Sequence, residues 1–426
     1  MKTICLYSAQ LHLSGGIESV IRDLYRILPQ GDIRVVAACE YGKPDWIRDD
    51  DFLSLPQDAS RRAESWRCFL FVNAIDCVVF NHVAVSYFSA VFGDIRRIRT
   101  SGVKCVMMCH SSFVTPLLVK GEEEVNRSFE RLSSICDAVF TVSQIDAIWW
   151  AALGYRALKI QNPVHLPAPT VRHSKDVRSQ LNVLWVGRFS PEKQPEVALA
   201  VFARAHRLGA NIHLTMIGCR EQDLRRYQKM ARNAGVERDV EILSARRNIG
   251  ELWQKADIHL LTSMTESFSL VLAEAKMMGI PTVMFDIPYI ELTASKKGLV
   301  SVRQGDDEGM AAALVELSSN QALREQLGRD ALDSFQGFDE RHVLSDWRMA
   351  LDALDTGKGF AVATDDLKLI VSQMVFAWER YCRRNLWLVR MQENARRIKF
   401  SFRDVASALA FGLNVIRKVK VKFRLR

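Results

Sequence analysis

Several signals of common protein classes are absent from this 426-residue chain. No Cys-x-x-Cys pair occurs among its nine cysteines, so neither a zinc site nor a disulfide framework is indicated. The chain has no Gly-x4-Gly-Lys-Ser/Thr phosphate loop, no Gly-x-Ser-x-Gly elbow and no His-Glu-x-x-His helix. Ordinary NTPases, α/β-hydrolases and zinc proteases are therefore disfavoured. No run of about 18 uninterrupted apolar residues appears, so no membrane-spanning helix is expected.

Composition is that of a globular protein, with 48% hydrophobic and 25% charged residues. Single hydrophobic cores rarely grow beyond about 250–300 residues, so the length suits two α/β domains. The cysteines are odd in number and lie mostly in apolar runs, which favours a reducing compartment. The first predicted strand begins almost at Met1 and leaves no room for a signal peptide. We therefore expect a cytoplasmic protein.

Positive charge is concentrated at the end of the chain. Residues 376–426 contain 14 Lys and Arg against 3 Asp and Glu, a net charge of +11, so the rest of the chain carries −2 of the total +9. Basic residues alternate with apolar ones there, as in segments that dock on anionic membranes. We expect residues 360–426 to form a basic helical extension that binds such a surface. A helical appendage packed on the protein is the alternative, and nucleic acid is not expected because no binding module accompanies the bases.

Short apolar runs alternate with segments of helical period, a pattern that predicts βαβ units and mostly parallel sheets. The expected strands of the first half are 3–8, 33–39, 76–80, 103–109 and 137–142. Those of the second half are 182–186, 212–217, 240–243 and 258–261. We predict an α/β protein with one Rossmann-like domain over 1–165 and another over 178–336. Their ligand site should lie between the carboxyl ends of the strands.

Two motifs at predicted strand ends suit a phosphate-containing ligand. Gly15-Gly16 precede a helix predicted over 17–28, and glycine there lets helix N–H groups approach an anion. Arg188 and Lys193 lie between a predicted strand and a predicted helix near Pro195. Arginine offers a planar fork to phosphate oxygens and lysine a point charge, which suits two neighbouring phosphates. In isolation, either motif is also compatible with an ordinary turn or a solvated loop.

A third motif places two carboxylates eight residues apart, Glu266 in a strand-to-helix loop and Glu274 in the helix that follows. If all eight residues were helical, the rise would be about 12 Å. That distance exceeds the roughly 5–5.5 Å between the two carboxyl groups of a retaining glycoside hydrolase. We therefore expect the two glutamates to hold different parts of one ligand. His110 ends another apolar strand and is a further candidate.

Together these motifs resemble those of the retaining glycosyltransferases of family four, the glycosyl transferases group 1, over residues 1–354. The resemblance implies a GT-B fold, in which two Rossmann-like domains face a central cleft and a helix at 337–356 crosses back onto the first. It implies transfer of a hexosyl unit from a nucleotide-diphosphate sugar to a glycan or lipid-linked acceptor in bacterial envelope polysaccharide synthesis. It also implies no metal and no cofactor besides the sugar nucleotide as co-substrate. The basic extension, rather than the resemblance, suggests a place at the inner face of the cytoplasmic membrane.

The same resemblance assigns roles to individual residues. The expected donor-binding residues are Gly15, Gly16, Arg188, Lys193, Glu266, Phe268, Ser269, Leu270 and Glu274. The expected catalytic residues are His110, Arg188, Lys193 and Glu266. The two bases would hold the diphosphate, Glu266 the donor-sugar hydroxyls and Glu274 the ribose hydroxyls, while the backbone N–H groups of 268–270 face the sugar and phosphate. His110 would lie beside the reacting sugar.

Two departures from the family pattern concern the sugar pocket, because Ser267 and Ser269 occupy positions where the family often has glycine. Two other activities remain open at this point. A nucleotide-sugar epimerase of the same fold would convert its donor without an acceptor, and a non-catalytic, membrane-associated partner in a glycan-synthesis complex would bind donor weakly or not at all.

Overall fold

The structure is a computed structural model that describes residues 1–362 apart from 12–14, 84, 113–114, 116–128, 165–179, 246–248 and 288–289. The predicted basic extension lies outside the described residues from residue 363 onward. The predicted junction between the domains, 165–178, lies outside them as well, so the domain boundaries stay a prediction. No helix in the described part of the chain has both the length and the apolarity needed to cross a bilayer.

The first half of the chain folds around a parallel sheet. Its strands are β1 (Lys2–Gln10), β2 (Ile33–Tyr41), β3 (Phe52–Ser54), β4 (Cys77–His82), β5 (Lys104–Cys109), β6 (Ala138–Thr141) and β7 (Ala157–Lys159). They pair in the order β3-β2-β1-β4-β5-β6-β7. The described helices that accompany them are α1 (Gly16–Ile27), α2 (Ala59–Val72), α3 (Phe88–Thr100) and α4 (Gln144–Ala152). Helices cover both faces of the sheet, which is why its strands are continuous apolar runs.

The second half repeats this arrangement. Its strands are β8 (Leu181–Val186), β9 (Ile212–Cys219), β10 (Val240–Ser244), β11 (Ile258–Leu261), β12 (Thr282–Phe285) and β13 (Leu299–Val302), in the order β10-β9-β8-β11-β12-β13. Its helices are α5 (Pro195–Arg207), α6 (Leu224–Asn233), α7 (Gly250–Lys255), α8 (Leu270–Met277), α9 (Glu291–Ala294), α10 (Asp307–Ser319) and α11 (Gln321–Phe335). The predicted α/β class with two Rossmann-like sheets is confirmed.

A last helix, α12 (Glu340–Thr356), lies against the first sheet although it follows the second in sequence. Its Trp347 packs edge-on against Phe140 of β6, with ring centroids 6.2 Å apart. The carboxylate of Asp346 accepts a hydrogen bond from the backbone N–H of Gln161 at 2.8 Å. At the far end of the helix Asp355 forms a 3.0 Å ion pair with Lys2. The first domain therefore completes its core with residues from the end of the described chain.

The two halves share part of one apolar core on the side of the sheet that α1 and α12 cover. Leu24 of α1 belongs to the same buried cluster as Phe268, Leu272 and Met284 of the second half. A hydrogen bond of 2.7 Å from the backbone N–H of Gln144 to the Glu291 carboxylate also joins them. These contacts hold the carboxyl ends of the two sets of strands toward each other.

A buried charge network lies on the opposite face of the first sheet. Arg62 of α2 is 2% exposed and donates to both carboxylate oxygens of Glu40, at 2.6 and 2.7 Å, and to Asp94 at 2.7 Å. The hydroxyl of Tyr7 donates to Glu40 at 2.7 Å. Burial raises the pKa of Asp94 and the neighbouring guanidinium opposes that rise. One cation thus satisfies two buried carboxylates on separate elements.

We predict that Arg62→Met lowers the free energy of unfolding by about 3–5 kcal/mol, because it leaves Glu40 and Asp94 buried without their cation. Urea unfolding followed by circular dichroism measures the change. Arg67→Met on the same helix is the matched control, since its ion pair with Glu64 is exposed and contributes little. Equal unfolding midpoints for the two variants would contradict this assignment.

Candidate active site

Most of the predicted site residues lie where parallel strands end. His110 follows β5, Arg188 and Lys193 follow β8, and Glu266 follows β11. Strands β8 and β11 are neighbours in the second sheet, so the loops that follow them are adjacent. The structure therefore places the three charged residues of the second half at one edge.

The two loops are joined by buried hydrogen bonds centred on Thr262. Its hydroxyl donates to the backbone carbonyl of Lys193 at 2.8 Å and accepts from the indole N–H of Trp185 at 2.9 Å. The backbone N–H of Met264 donates to the carbonyl of Glu192 at 2.8 Å. Because these bonds are shielded from water, they fix the loop after β8 against the loop after β11.

An ion pair connects the same loops through their side chains. The ammonium of Lys193 lies 2.7 Å from a carboxylate oxygen of Glu266, whose side chain is 7% exposed. The carboxamide of Gln304 donates to the backbone carbonyl of Ser263 at 2.9 Å and so holds the segment that leads to Glu266. The carboxylate of Glu266 is thus nearly buried, whereas the ammonium of Lys193 beside it remains partly accessible.

Of the two bases Arg188 and Lys193, Arg188 is the more exposed. Its guanidinium is 3.1 Å from Glu192, and 81% of its side chain is accessible. Burial lowers the pKa of His82, at the end of β4, and the positive charge of Arg188 lowers it further. The two residues belong to different halves, so the charge of Arg188 acts on the first half of the chain.

His110 lies beside His82 in the first half. Burial lowers the pKa of His110 to about 4, and the neighbouring imidazole adds to the shift. Its Nε2 is 3.1 Å from the side-chain oxygen of Asn81, so the neutral tautomer with a proton on Nε2 satisfies that contact. At neutral pH His110 is uncharged and cannot serve as a general acid. It can present the lone pair of Nδ1.

Two helix N-termini meet near these residues. A Cβ atom added to Gly16, the first residue of α1, would come within 3.4 Å of the Leu270 side chain, the first residue of α8. A Cβ atom on Gly15 would collide with the carboxylate of Glu18 at 2.2 Å, so glycine is required for Glu18 to fold back there. Unpaired N–H groups at helix starts favour anions, and here two such starts adjoin.

Ser269 adopts a left-handed backbone conformation, with φ of 68°, immediately before α8. Glycine reaches this region at little cost, whereas other residues rarely enter it. Its hydroxyl is buried and has no hydrogen-bond partner among the described residues. Ser269 therefore has a backbone conformation typical of glycine, although its side chain is that of serine.

Glu274 lies on α8 and contacts α7 through Trp253. The indole N–H of Trp253 donates to its carboxylate at 2.9 Å. Burial raises the pKa of Glu274 to about 7; the Trp253 hydrogen bond opposes the rise and the charge of Asp23 on α1 adds to it. Helix α8 begins at Leu270, so Glu266 lies in the loop before the helix, as the motif predicts, and only the stretch from Leu270 to Glu274 is helical.

The structure thus brings Arg188, Lys193 and Glu266 together and places Gly16 against the start of α8. Three residues outside the predicted site complete the surroundings: Trp253 at Glu274, Asn81 at His110 and Gln304 beneath the Glu266 loop. Asn81 lies at the end of β4, next to His82, a position that could have indicated it. Trp253 and Gln304 come from segments distant in sequence and carry no comparable signal.

No group of three or more His, Cys, Asp or Glu side chains in the described part of the chain is arranged to hold a metal ion. Three consecutive aspartates at 49–51 could suggest a metal ligand, but Asp51 has a structural role. Asp51 accepts hydrogen bonds from the Tyr25 hydroxyl and the Arg48 guanidinium at 2.8 Å, and from Arg34 at 3.1 Å.

Comparison with known proteins finds similarity chiefly in the second half. Residues 172–333 match the model of the glycosyl transferases group 1. A similar protein is the exopolysaccharide phosphotransferase SCO2592 of Streptomyces coelicolor, 29% identical over 164 residues, which are 38% of this chain and 17% of the relative. Another is the amylovoran biosynthesis glycosyltransferase AmsD of Erwinia amylovora, 25% identical over 175 residues, which are 41% of this chain and 49% of the relative. The chain spans less than half the length of these curated relatives.

The fold extends the likeness to both halves. The solved structure of Anabaena Alr3699/HepE in complex with UDP and glucose matches with a TM-score of 0.66 at 15% identity, and the match covers 83% of this chain and 100% of that one. Such low identity establishes the fold alone. The chain therefore has the GT-B fold, and its residues 172–333 are similar to the glycosyl transferases group 1.

Proposed function

We propose that this protein is a retaining glycosyltransferase that moves a hexosyl unit from a nucleotide-diphosphate sugar to a glycan or lipid-linked acceptor without a metal ion. The observation that carries the proposal is the Lys193–Glu266 ion pair of 2.7 Å at the edge where β8 and β11 end. It adjoins a second base and the starts of α1 and α8. Cations, helix N–H groups and a carboxylate are the groups that a sugar diphosphate requires.

Sugar transfer places negative charge on the departing diphosphate and positive charge on the anomeric carbon. Lys193 and Arg188 are fixed cations for the first of these, and they stabilise the transition state more than the ground state if they approach the leaving oxygen. Glu266 keeps Lys193 in place before the donor binds. Once phosphate oxygens share the ammonium, the carboxylate can accept hydrogen bonds from the sugar hydroxyls.

His110 and Glu274 have different parts in this scheme. Neutral His110 offers a lone pair without adding positive charge beside the forming oxocarbenium ion. Glu274, one turn into α8, accepts hydrogen bonds from the ribose hydroxyls when it is ionised. Burial keeps part of its population protonated near neutral pH by raising its pKa, and the charge of Asp23 adds to that effect.

The names of the relatives and neighbours guide the choice of substrates. SCO2592 and AmsD are named for exopolysaccharide and amylovoran, and HepE was solved with UDP and glucose. We therefore propose a role in bacterial polysaccharide synthesis and UDP-sugars as the first donors to test. The basic residues 376–426 would hold the enzyme on an anionic membrane, from the cytoplasmic side, near a lipid-linked acceptor.

We predict that one nucleotide sugar from a UDP, GDP, ADP and TDP panel raises the unfolding temperature without Mg²⁺, because a ligand at about 100 times its dissociation constant stabilises a protein by about 2.7 kcal/mol. With that donor, Arg188→Ala should lower kcat about 100-fold, since removing one transition-state contact costs about 10²–10³ in rate. Release of the nucleoside diphosphate measures turnover.

Arg204→Ala is the matched control for this experiment. Arg204 lies in the last turn of α5, at the opposite end of that helix from the site, in an exposed ion pair with Glu308. It should retain wild-type turnover. A normal kcat in Arg188→Ala, or an absolute need for a divalent metal, would contradict the proposed diphosphate contact.

We predict that donor affinity rises about tenfold between about pH 6 and pH 8, as Glu274 ionises through its pKa of about 7. Glu274→Gln should bind donor weakly and without this pH dependence. Isothermal titration calorimetry with the intact nucleotide sugar measures both, because its diphosphate does not titrate in that range. A raised carboxyl pKa also means that the folded state binds the extra proton, so the free energy of unfolding of the wild type relative to that of Glu274→Gln should fall as pH rises from about 4.5 to 7.

Glu316→Gln, an exposed change on α10, should leave the affinity and its pH dependence as in the wild type. A pH dependence that persists in Glu274→Gln would assign the titration to another group.

A further inference from the structure

Asn81 is the extra residue of a bulge in the first sheet. The pairing of β4 with β1 shifts by one residue between Phe80 and His82, so Asn81 between them has no partner on β1. A bulge breaks the alternation of side chains along a strand and redirects the side chain of the extra residue, and bulges are frequent next to active sites. The side chain of Asn81 is 4% exposed and directly precedes the last residue of β4. A buried amide therefore leaves the regular pattern of the strand at the edge where the candidate site lies.

Two backbone carbonyls fix the orientation of the Asn81 amide. Its Nδ2 donates to the carbonyl of Val79 at 3.1 Å and to the carbonyl of Tyr7 on β1 at 3.4 Å. A flipped amide would set its own oxygen against both carbonyl oxygens and lose both hydrogen bonds. The side-chain oxygen of Asn81 is therefore the atom that meets His110.

This fixed oxygen selects one tautomer of His110. Oδ1 of Asn81 lies 3.1 Å from Nε2 of His110, and a carboxamide oxygen can only accept a hydrogen bond. A neutral imidazole has a single N–H, so the proton is on Nε2 and Nδ1 is left as an acceptor. The opposite tautomer would set the lone pair of Nε2 against those of the amide oxygen.

The surroundings of His110 also keep the ring uncharged. Burial lowers its pKa to about 4, and the imidazole of His82 on β4 adds to that shift. Among the described residues His82 is the group whose charge acts on His110, and Arg188 in turn lowers the pKa of His82. Near neutral pH the choice at His110 is therefore between two neutral tautomers, and the contact with Asn81 makes that choice.

We propose that Asn81 is a positioning residue, which holds His110 as the Nε2–H tautomer and so makes Nδ1 the nitrogen that acts on the donor sugar. The tautomer follows from the hydrogen bonds alone, whereas its effect on turnover rests on the function proposed above. A lone pair on Nδ1 accepts a hydrogen bond from a sugar hydroxyl and adds no positive charge beside the oxocarbenium ion. In the other tautomer Nδ1 would carry an N–H, whose positive end disfavours a cationic transition state.

The tautomer is measured without any substrate, by ¹⁵N NMR of the full-length protein labelled at its nine histidines. Resonances that are missing from His110→Gln assign the ring. We expect the shift of an unprotonated nitrogen at Nδ1 and of a protonated one at Nε2, unchanged between about pH 6 and about pH 8, because the pKa of His110 is about 4. In Asn81→Leu, which has a similar volume and no amide, the two shifts should move toward each other. An N–H at Nδ1 in the wild type overturns the proposal, as does an unchanged pattern in Asn81→Leu.

Turnover with the donor found above tests the consequence for transfer. Asn81→Leu should lower kcat about five- to tenfold, the effect of roughly one neutral hydrogen bond. Asn73→Leu is the matched control, because Asn73 is also 4% exposed and donates from its amide to a backbone carbonyl, that of Phe69, at 3.1 Å. It should keep the wild-type kcat and the His110 resonances. A normal kcat in Asn81→Leu, together with a disturbed tautomer, would refute the positioning role.

Asn81→Asp keeps the shape of the side chain and serves if the leucine variant does not fold. A carboxylate beside Nε2 favours the imidazolium, so the pKa of His110 should rise and the ¹⁵N shifts should titrate at a higher pH than in the wild type. Turnover in this variant should then increase with pH through that pKa. An unshifted titration contradicts the contact. Failure of the wild type to turn over any donor would instead refute the proposed function, and the NMR result would still decide the tautomer.

Discussion

Parallel pairing of every described strand is the constraint on which the rest of this structure depends. Parallel strands all end at one edge, so loops far apart in sequence, those after β5, β8 and β11, bring their side chains to one place. The same pairing requires crossover helices on both faces, which buries the strands and removes polar alternation from them. The candidate site residues thus lie at the ends of the strands, whereas the residues along each strand form the apolar core.

Much of this architecture follows from the sequence because its signals are local. The apolar runs and the glycine and proline positions predict most strands to within a few residues, and the motifs at Gly15-Gly16, Arg188-Lys193 and Glu266 mark three strand ends. The buried network of Arg62 could not be predicted, since α2 contains several arginines and nothing local distinguishes the one that meets Glu40 and Asp94. The contact of Trp253 with Glu274 depends on the packing of α7 against α8, which periodicity does not report.

The sugar-pocket serines show how backbone and side chain can diverge. Substitution of a family glycine suggested a changed pocket, yet the backbone at Ser269 keeps the left-handed conformation that glycine would adopt. Phe268 and Leu272, on either side of Ser269 in sequence, are buried in the core that the two halves share. The sequence shows where the substitution lies. Only the structure shows that the backbone at Ser269 is left-handed and that its hydroxyl is buried at the start of α8.

The return of α12 to the first sheet has a consequence for synthesis of the chain. Trp347, Leu351 and Leu354 complete a core whose other members lie as far back as Ile4. While the ribosome is still translating the second half, that face of the first sheet lacks the part of its cover that α12 supplies, and the apolar residues beneath α12 remain accessible. Contacts of such long sequence separation form late and slowly. The emerging first half is therefore a substrate for chaperones until residue 356 has left the exit tunnel, and a nascent chain arrested before α12 would present an open apolar surface.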